Sequence, residues 1–398
     1  MVFRFALFFC IMLAYLAVAH RYVYVRLVRD PKPPERWRKI GKWLLVALPF
    51  ATVSGFFAPG RMPPGTGKPW AIAALLWFGT LFVAVLVLLA LDAIRLGWAL
   101  HRLGRRWVGR PLPAPDPERR LFFSRALAGV AALGSGGISA ASVDTALSAP
   151  TVRRLEVPIV GLPAELEGLC IAQVSDVHVG PTIGTAFVRR IVDTVNALSP
   201  DLVAITGDLV DGSVARLREA VAPLAQLRSR FGTFFVTGNH EYYSGADDWC
   251  AHLGTLGIRV LRNQRAEIAV GAGRLDLIGV EDFFATGPRH DLTTAMAGRE
   301  TSRPAVLLAH QPRSIFQAAA AGIDLQLSGH THGGQIWPFT YLVYLQQPYV
   351  RGLHLHASRT WIYVHPGTGY WGPPMRLGVP PEVALIRLVR GQRPNSSS

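Results

Sequence analysis

The sequence predicts an α/β (α+β) layered domain over residues 151–390, preceded by an all-α transmembrane region over residues 1–150 and followed by a disordered tail, residues 391–398. Residues 70–91 contain no charged side chain and are long enough to cross a bilayer as one helix. The first 150 residues hold 19 Lys and Arg against 6 Asp and Glu, whereas residues 151–398 hold 22 against 20. In this second part, short apolar runs alternate with helical stretches, as in layered α/β and α+β domains.

Three further segments of the first part are candidate membrane spans. Half of the chain is hydrophobic and its mean hydropathy is +0.27, which is high for a soluble protein. The candidates are residues 2–19, which only Arg4 interrupts, residues 43–59, which contain Pro49, and residues 126–149, which are rich in small side chains. Together with residues 70–91 they predict three or four transmembrane helices.

The loops between these segments differ in their content of basic residues. Residues 20–42 contain eight Lys and Arg and residues 101–125 contain seven, whereas residues 60–69 contain two. Because basic loops stay in the cytoplasm, the N-terminus is predicted outside, and so is everything after residue 150 if residues 126–149 span the membrane. The basic excess lies between apolar runs rather than on a folded domain, so nucleic acid is not an expected partner.

Two interpretations of the basic sequence before residues 126–149 stay open. Arg119, Arg120 and Phe122 resemble the twin-arginine export motif, although Glu118 precedes the pair and the motif is internal. The alternative is an ordinary basic loop beside the membrane. Both interpretations predict the same extracytoplasmic position for the second domain.

Polar side chains follow five of the strands predicted in the second domain. The predicted strands are 169–175, 202–206, 233–237, 274–280, 305–309, 324–328, 361–364 and 383–389, and the predicted helices are 185–198, 214–228, 246–256 and 313–321. The polar residues are Asp176 and His178, then Asp208, then Asn239 and His240, then His310, and finally His330 and His332. Strand ends of layered folds are where sites are usually built, so these side chains are expected at one rim.

This set of carboxylate, amide and imidazole groups predicts a site for divalent metals. It lacks thiolate, so it suits Mn, Fe or Zn in a catalytic role more than a structural zinc. The ligands suffice for two divalent ions, and a pair about 3.5–4 Å apart can clamp a phosphoryl group. Asp208 is the expected bridging carboxylate, because Gly207 permits a tight turn before it, and the glycines at 329, 333 and 334 allow close approach. His330 and His332 are expected to serve different metals.

The order D-x-H, G-D, G-N-H-E, H and G-H-T-H, over about residues 169–390, resembles the calcineurin-like metallophosphoesterase family. The membrane region together with "GHTHGGQI" resembles the bacterial membrane-anchored branch of that family. The resemblance implies a four-layer β-sandwich flanked by helices. It also implies a metal-dependent phosphoric ester hydrolase that acts on phosphomonoester or phosphodiester bonds.

The resemblance also implies a role for each residue of the motif. The first metal would be held by Asp176, His178, Asp208 and His332, and the second by Asp208, Asn239, His310 and His330. His240 would not bind metal but would protonate the leaving oxygen. Four nearby residues are left outside the predicted site: Asp211, Glu241, Arg351 and Arg376. Glu241 is expected either to orient His240 or to lie on a solvated face, and the arginines are expected at the surface.

The membrane region leaves alternatives open about function. The leading hypothesis is a phosphoesterase of the bacterial inner membrane whose catalytic domain faces the extracytoplasmic side, and its anchor points to a lipid-linked or envelope substrate. The alternative is a membrane transporter or sensor with a regulatory phosphoesterase domain, because the spans outnumber what an anchor needs. The spans contain few buried charges, and Asp92 and Arg95, near the end of one span, are the exceptions. A nuclease is disfavoured by the near-neutral second part.

Overall fold

A computed structural model describes the backbone of residues 2–57, 62, 66–110, 112–113, 116–283 and 290–391, with side chains from Phe9 onward. The chain divides into two compact units, Met1–Asp144 and Thr145–Ser398. The predicted disordered tail lies outside the described residues except for Gly391, which ends the last strand.

The first unit is helical, as predicted. Its helices are α1 (Val2–Tyr24), α2 (Glu35–Phe57), α3 (Lys68–Trp107) and α4 (Pro117–Leu147), of which the last runs into the second unit. By length and composition, four segments could cross a membrane: Phe9–Arg29, which continues past the end of α1, and the whole of α2, α3 and α4. Helices α3 and α4 extend beyond the predicted apolar runs into the basic loop, because Arg and Leu are good helix formers. Arg119 and Arg120 therefore lie in the first turn of α4.

The charged residues near the end of the apolar run in α3 are paired within the helical unit. Asp92 accepts hydrogen bonds from the Tyr22 hydroxyl at 2.6 Å and from Arg26 Nε at 2.9 Å. It also lies 3.2 Å from Arg95 Nη1. This ion pair and its hydrogen bonds offset the cost of placing charge beside apolar helices.

The second unit contains two six-stranded mixed sheets. The first sheet has the order β1 (Thr151–Val160), β12 (Glu382–Gly391), β2 (Cys170–Val174), β3 (Leu202–Thr206), β4 (Thr233–Val236) and β5 (Ile258–Val260). The second has the order β10 (Gly352–His356), β11 (Thr360–Val364), β9 (Leu325–Ser328), β8 (Ala305–Leu308), β7 (Gly273–Gly279) and β6 (Gln264–Val270). Strands β2 to β5 are parallel to one another, and so are β11, β9, β8 and β7.

Helices cover the outer faces of both sheets. The helices of this unit are α5 (Thr185–Ala197), α6 (Val214–Val221), α7 (Asn239–Ser244), α8 (Ala246–Thr255), α9 (Leu292–Ala295), α10 (Ile315–Ala320) and α11 (Thr340–Val343). The predicted helix 214–228 ends early, because Pro223 lies where α6 gives way to the 3-10 turn Ala222–Gln226. The predicted helix 313–321 likewise begins as the 3-10 turn Pro312–Ser314.

Three buried clusters define the layers. The inner faces of the two sheets pack on each other through side chains such as Ile171, Phe234, Leu277, Leu308 and Leu327. The outer face of the first sheet packs under α5, α6 and α8, and the outer face of the second packs under α9 and α10. Strands buried on both faces need apolar side chains throughout, which is why β3 reads "LVAIT". The predicted four-layer sandwich flanked by helices is confirmed.

Candidate metal centre

The eight residues of the predicted site lie at one edge of the sandwich, after the carboxyl ends of strands from both sheets. In the first sheet, Asp176 and His178 follow β2, Asp208 follows β3, and Asn239 and His240 begin α7 after β4. In the second sheet, His310 follows β8, and His330 and His332 follow β9. Because the strands within each of these sets are parallel, their carboxyl ends lie together.

One group of converging ligand atoms comes from Asp176, His178 and His332, all of which are buried. The Nε2 atoms of His178 and His332 lie 3.0 Å apart, and His332 Nε2 lies 3.5 Å from Asp176 Oδ1. Two imidazole nitrogens that face each other at this distance with a carboxylate beside them form a natural cation site, since neutral imidazole offers a lone pair.

A second group comes from Asp208, His310 and His330. Nδ1 of His310 lies 2.8 Å from the Thr206 carbonyl oxygen, which can only accept, so Nδ1 carries the proton. Nε2 of His310 lies 3.1 Å from Oδ2 of Asp208, and in the neutral form of the ring, which a metal requires, Nε2 carries the lone pair. This arrangement fixes the tautomer that a metal-binding histidine needs.

The buried polar atoms test whether divalent ions fit here. Asn239 Oδ1 and His310 Nε2 are among the buried polar atoms of the described residues that have no hydrogen-bond partner. Such an atom costs about 1–3 kcal/mol if nothing binds it. The carboxylates of Asp176 and Asp208 are 0% and 3% exposed, and buried charges need a counterion. The residues therefore fit the two ions that the resemblance implies.

Without metal, burial and the close charges shift the pKa values of several site residues. Burial raises the pKa of Asp176. Burial acts in the same direction on Asp208, but the charge of His310 outweighs it and holds the pKa of Asp208 well below its usual range. Burial and the charge of His310 lower the pKa of His330 to about 3, which leaves that imidazole neutral.

Five of the site residues hold a left-handed backbone conformation. Positive φ angles occur at Asp176 (54°), His178 (54°), Asp208 (50°), His330 (71°) and His332 (50°). For a residue with a Cβ atom this conformation costs roughly 1–2 kcal/mol. Strain concentrated in this way is characteristic of residues that must aim their side chains at a ligand.

Two glycines permit the close packing behind the carboxylates. A Cβ atom at Gly329 would lie 2.2 Å from Oδ2 of Asp176, and one at Gly238 would lie 2.2 Å from Oδ1 of Asp208. Neither carboxylate could keep its position beside a larger residue. The close approach predicted for Gly329 is confirmed.

Glu241 does neither of the things expected of it. It is fully buried, and its carboxylate accepts hydrogen bonds from the backbone N–H groups of Asp208 (2.9 Å), Leu209 (2.8 Å) and Gly238 (2.6 Å). It therefore ties the turn that carries Asp208 to the start of α7. The expectations of a solvated face and of a contact with His240 are both wrong, because four-layer packing buries this side of α7.

Asp211 was left outside the predicted site, but the structure brings it to the centre. Its Oδ1 atom lies 2.6 Å from Nδ1 of His240 and 3.1 Å from Nδ1 of His178. Burial acts to lower the pKa of His240, but the carboxylates of Asp208 and Asp211 outweigh it and raise that pKa to about 9. The signal in the sequence is "GDLVD", which carries a second carboxylate three residues beyond Asp208.

The predicted surface position of Arg376 is also wrong. It is fully buried and donates hydrogen bonds to the carbonyls of Pro366 (3.0 Å), Gly369 (2.8 Å) and Val379 (3.1 Å). These carbonyls form a polar pocket inside the loop after β11, which replaces the water that a surface arginine would have. Arg351, by contrast, is exposed as expected.

The His240 side chain is more accessible than those of His178, His310 and His332. It is 16% exposed, against 1% for His178 and 11% for His332. The ring centroids of Tyr243 and Trp371 lie 5.3 Å and 5.8 Å from that of His240, both edge-on. These aromatic rings border the accessible side of His240.

The matching family profile covers the part of the chain that carries the site. The family is described as Calcineurin-like phosphoesterase, and it matches residues 170–334. That range begins with β2 and ends with the turn after β9, so it contains all eight residues of the predicted site.

Some relatives match more of the chain than residues 170–334, and two of them are named for both a membrane region and a metallophosphoesterase domain. A Bos taurus "Transmembrane protein with metallophosphoesterase domain" is 43% identical over 294 residues, which are 70% of this chain and 66% of that protein. A Danio rerio protein of the same name is 36% identical over 370 residues, 90% of this chain and 82% of that protein. An uncharacterized metallophosphoesterase of Campylobacter jejuni is 31% identical over 388 residues, 96% of this chain and 98% of that protein. The last two similarities extend into the helical unit.

Proposed function

The chain belongs to the calcineurin-like metallophosphoesterase family, a family of metal-dependent phosphoric ester hydrolases, and from this premise we propose that it hydrolyses phosphomonoester or phosphodiester bonds with two divalent ions. The observation that carries the two-ion proposal is the position of Asp208. Its Oδ2 atom lies 3.9 Å from His178 Nε2 and 3.1 Å from His310 Nε2, between the two groups of ligand atoms.

The proposed ligand sets follow from this position. Asp176, His178, Asp208 and His332 would hold the first ion, and Asp208, Asn239, His310 and His330 would hold the second. The unpartnered Asn239 Oδ1 and His310 Nε2 atoms support the second set. When bound, two such ions supply Lewis acidity and lower the pKa of a water that attacks phosphorus. Mn, Fe and Zn all suit these donors.

We assign His240 the role of general acid. Because its Nδ1 atom is held by Asp211, its Nε2 atom is left to face the reacting group. In the metal-free site, the carboxylates of Asp208 and Asp211 raise the pKa of His240 to about 9, which favours the protonated imidazole at neutral pH. It would therefore donate a proton to the leaving oxygen as the ester bond breaks, and Asp211 would keep it oriented and charged.

The membrane setting extends the proposal to the substrate and its location. The relatives from Bos taurus and Danio rerio are named as transmembrane proteins, and this chain has four helices apolar enough to cross a membrane. The basic loops before α2 and α4 favour an inner-membrane protein whose catalytic unit, residues 151–390, faces the extracytoplasmic side. A lipid-linked or envelope phosphoester is the substrate class that fits this location.

One observation favours the alternative of a transporter or sensor with a regulatory phosphoesterase domain. The cluster of Tyr22, Arg26, Asp92 and Arg95 is ionisable and lies among apolar helices, where charged residues often mark a functional path. Alanine at Asp92 should leave hydrolysis unchanged under the leading proposal, whereas a regulatory link should alter it.

Hydrolysis by the full chain in detergent tests the proposal. The substrates are p-nitrophenyl phosphate, bis(p-nitrophenyl) phosphate and DNA, each assayed after chelation and again after adding Mn²⁺, Fe²⁺ or Zn²⁺. We expect one or both nitrophenyl esters to be hydrolysed only with metal, and DNA to be left intact. Metal-independent hydrolysis, or cleavage of DNA alone, would contradict the proposal.

A further inference from the structure

An apolar surface segment begins just after the metal centre. Residues 337–345, called here the aromatic segment, read "WPFTYLVYL" and include α11. Its large side chains are exposed: Trp337 is 56%, Tyr341 65% and Leu345 81% exposed, and Phe339, Leu342 and Tyr344 are similarly open. A continuous apolar surface of this kind is uncommon on a soluble domain and marks a contact with another apolar phase.

The aromatic segment is attached to the metal centre by hydrogen bonds. Thr340 Oγ1 donates to the Gly333 carbonyl at 3.0 Å, and Gly333 directly follows His332. Just before the segment, the Gln335 side chain bonds both backbone polar groups of Trp371, at 2.9 Å each. Since the Trp371 ring contacts His240, the segment and the accessible side of the site belong to one rim.

Two surface grooves run along the aromatic segment. One, of about 490 Å³, lies between α10 and the end of the segment and is lined by Phe316, Tyr344 and Leu345 among others. The other, of about 270 Å³, is lined by Trp337, Tyr341 and Arg351 among others. Both grooves thus combine aromatic or aliphatic walls with an open side.

The sequence around the aromatic segment contains basic residues but no acidic ones. Residues 325–381 contain no Asp or Glu at all, whereas they contain Arg351, Arg359 and Arg376. Arg376 is buried, but Arg351 is exposed in the smaller groove. Surfaces that face only water mix both signs, whereas an aromatic surface with basic and no acidic residues suits anionic headgroups.

We propose that the aromatic segment is a membrane-contacting surface, which inserts its aromatic and leucine side chains into the headgroup region of an anionic bilayer. Trp and Tyr are the residues that favour this layer, because one end of each ring system is apolar and the other forms hydrogen bonds. The chain itself keeps a bilayer close, since only residues 148–150 separate the apolar helix α4 from β1.

The contact has a consequence for the substrate, and this consequence rests on the proposed function. A phosphoester whose acyl chains remain in the bilayer or in the grooves would present its headgroup at the rim that holds His240 and Trp371. The substrate class is then an amphiphilic lipid phosphoester taken directly from the membrane.

Photo-crosslinking of the full chain in nanodiscs of phosphatidylcholine and phosphatidylglycerol tests the contact. p-Benzoylphenylalanine is placed at position 345 or 341. The control is position 160, which lies on β1 of the first sheet and is 41% exposed. We expect lipid adducts at positions 345 and 341 and background levels at position 160. Adducts to a second copy of the chain, or no lipid adducts at position 345, would overturn the proposal.

The substrate consequence is tested with two esters that share a leaving group, hexadecyl p-nitrophenyl phosphate and ethyl p-nitrophenyl phosphate, in the same nanodiscs. We expect the chain to prefer the hexadecyl ester, and Leu345→Glu to lower the ratio of the two rates. An unchanged ratio would overturn the lipid-substrate inference. If neither these two diesters nor p-nitrophenyl phosphate is hydrolysed in the presence of metal, the proposed function fails, while the adducts still decide the membrane contact.

Discussion

The Asp211 carboxylate lies 2.6 Å from Nδ1 of His240 and so holds the ring that the proposed mechanism uses as an acid. The same oxygen lies 3.1 Å from Nδ1 of His178, a proposed metal ligand. One carboxylate therefore supports both the metal centre and the proton donor, which makes Asp211 a positioning residue for two functions.

Asp211→Asn should reduce turnover by about 10- to 100-fold, as the loss of a carboxylate behind a functional histidine typically does. The pKa of His240 should fall, since one of the carboxylates that raise it is gone. The loss should therefore be larger for phenyl phosphate than for p-nitrophenyl phosphate, whose leaving group needs less protonation. Equal losses on both esters would indicate that Asp211 serves only the fold or metal binding.

His240→Ala should keep two metal ions per chain while turnover falls by about 10²–10⁴-fold, the usual contribution of a general acid. Metal content by plasma mass spectrometry and rates with esters of differing leaving groups are the measurements. His252→Ala, on α8, is the matched control and should retain full activity. A loss of bound metal in His240→Ala would instead make His240 a ligand.

Glu241→Gln should destabilise the catalytic unit. The amide keeps one acceptor oxygen but turns N–H groups toward the backbone donors of Asp208, Leu209 and Gly238. Each donor left without a partner costs about 1–3 kcal/mol, so the Tm should fall. Glu219→Gln, whose side chain is 88% exposed, is the control and should leave the Tm unchanged. An unchanged Tm in Glu241→Gln would contradict the role of Glu241 in holding the Asp208 turn.

Topology is tested by a reporter fused after residue 398, which should be active only outside the cytoplasm. Replacing both Arg119 and Arg120 by Lys should block export if these residues form a twin-arginine signal, and should have no effect if they form an ordinary basic loop. A reporter active in the cytoplasm would contradict the orientation inferred from the basic loops.

Much of the fold was predictable because the central strands are buried on both faces. Runs such as "LVAIT" in β3 are apolar throughout, and polar residues follow at the strand ends where the chain leaves the core. The edge strand β1 was missed, since "TVRRLEVPIV" mixes charged and apolar residues and only Val157 and Ile159 of its ten residues are buried. A strand of mixed composition resembles a loop unless its partner is known.

The sequence predicted which residues of the site could bind metal, but not the charged residues that support them. Glu241 and Arg376 carry charge, and the sequence alone indicates that such residues lie at the surface. Their burial depends on backbone N–H and carbonyl groups that tertiary folding brings around them, which no local pattern reveals. Asp211 is similar, because its two histidine partners come from separate strand ends.

The central claim is that Asp208 joins two metal ions, and metal stoichiometry at limiting free metal tests it most directly. Asp208→Asn should lose affinity at both sites, because the shared negative charge between the cations is removed. His332→Ala should weaken chiefly the first site and His330→Ala chiefly the second, while the exposed Asp193→Asn serves as the control and should bind two ions. Two ions retained in Asp208→Asn under the same conditions would contradict the account.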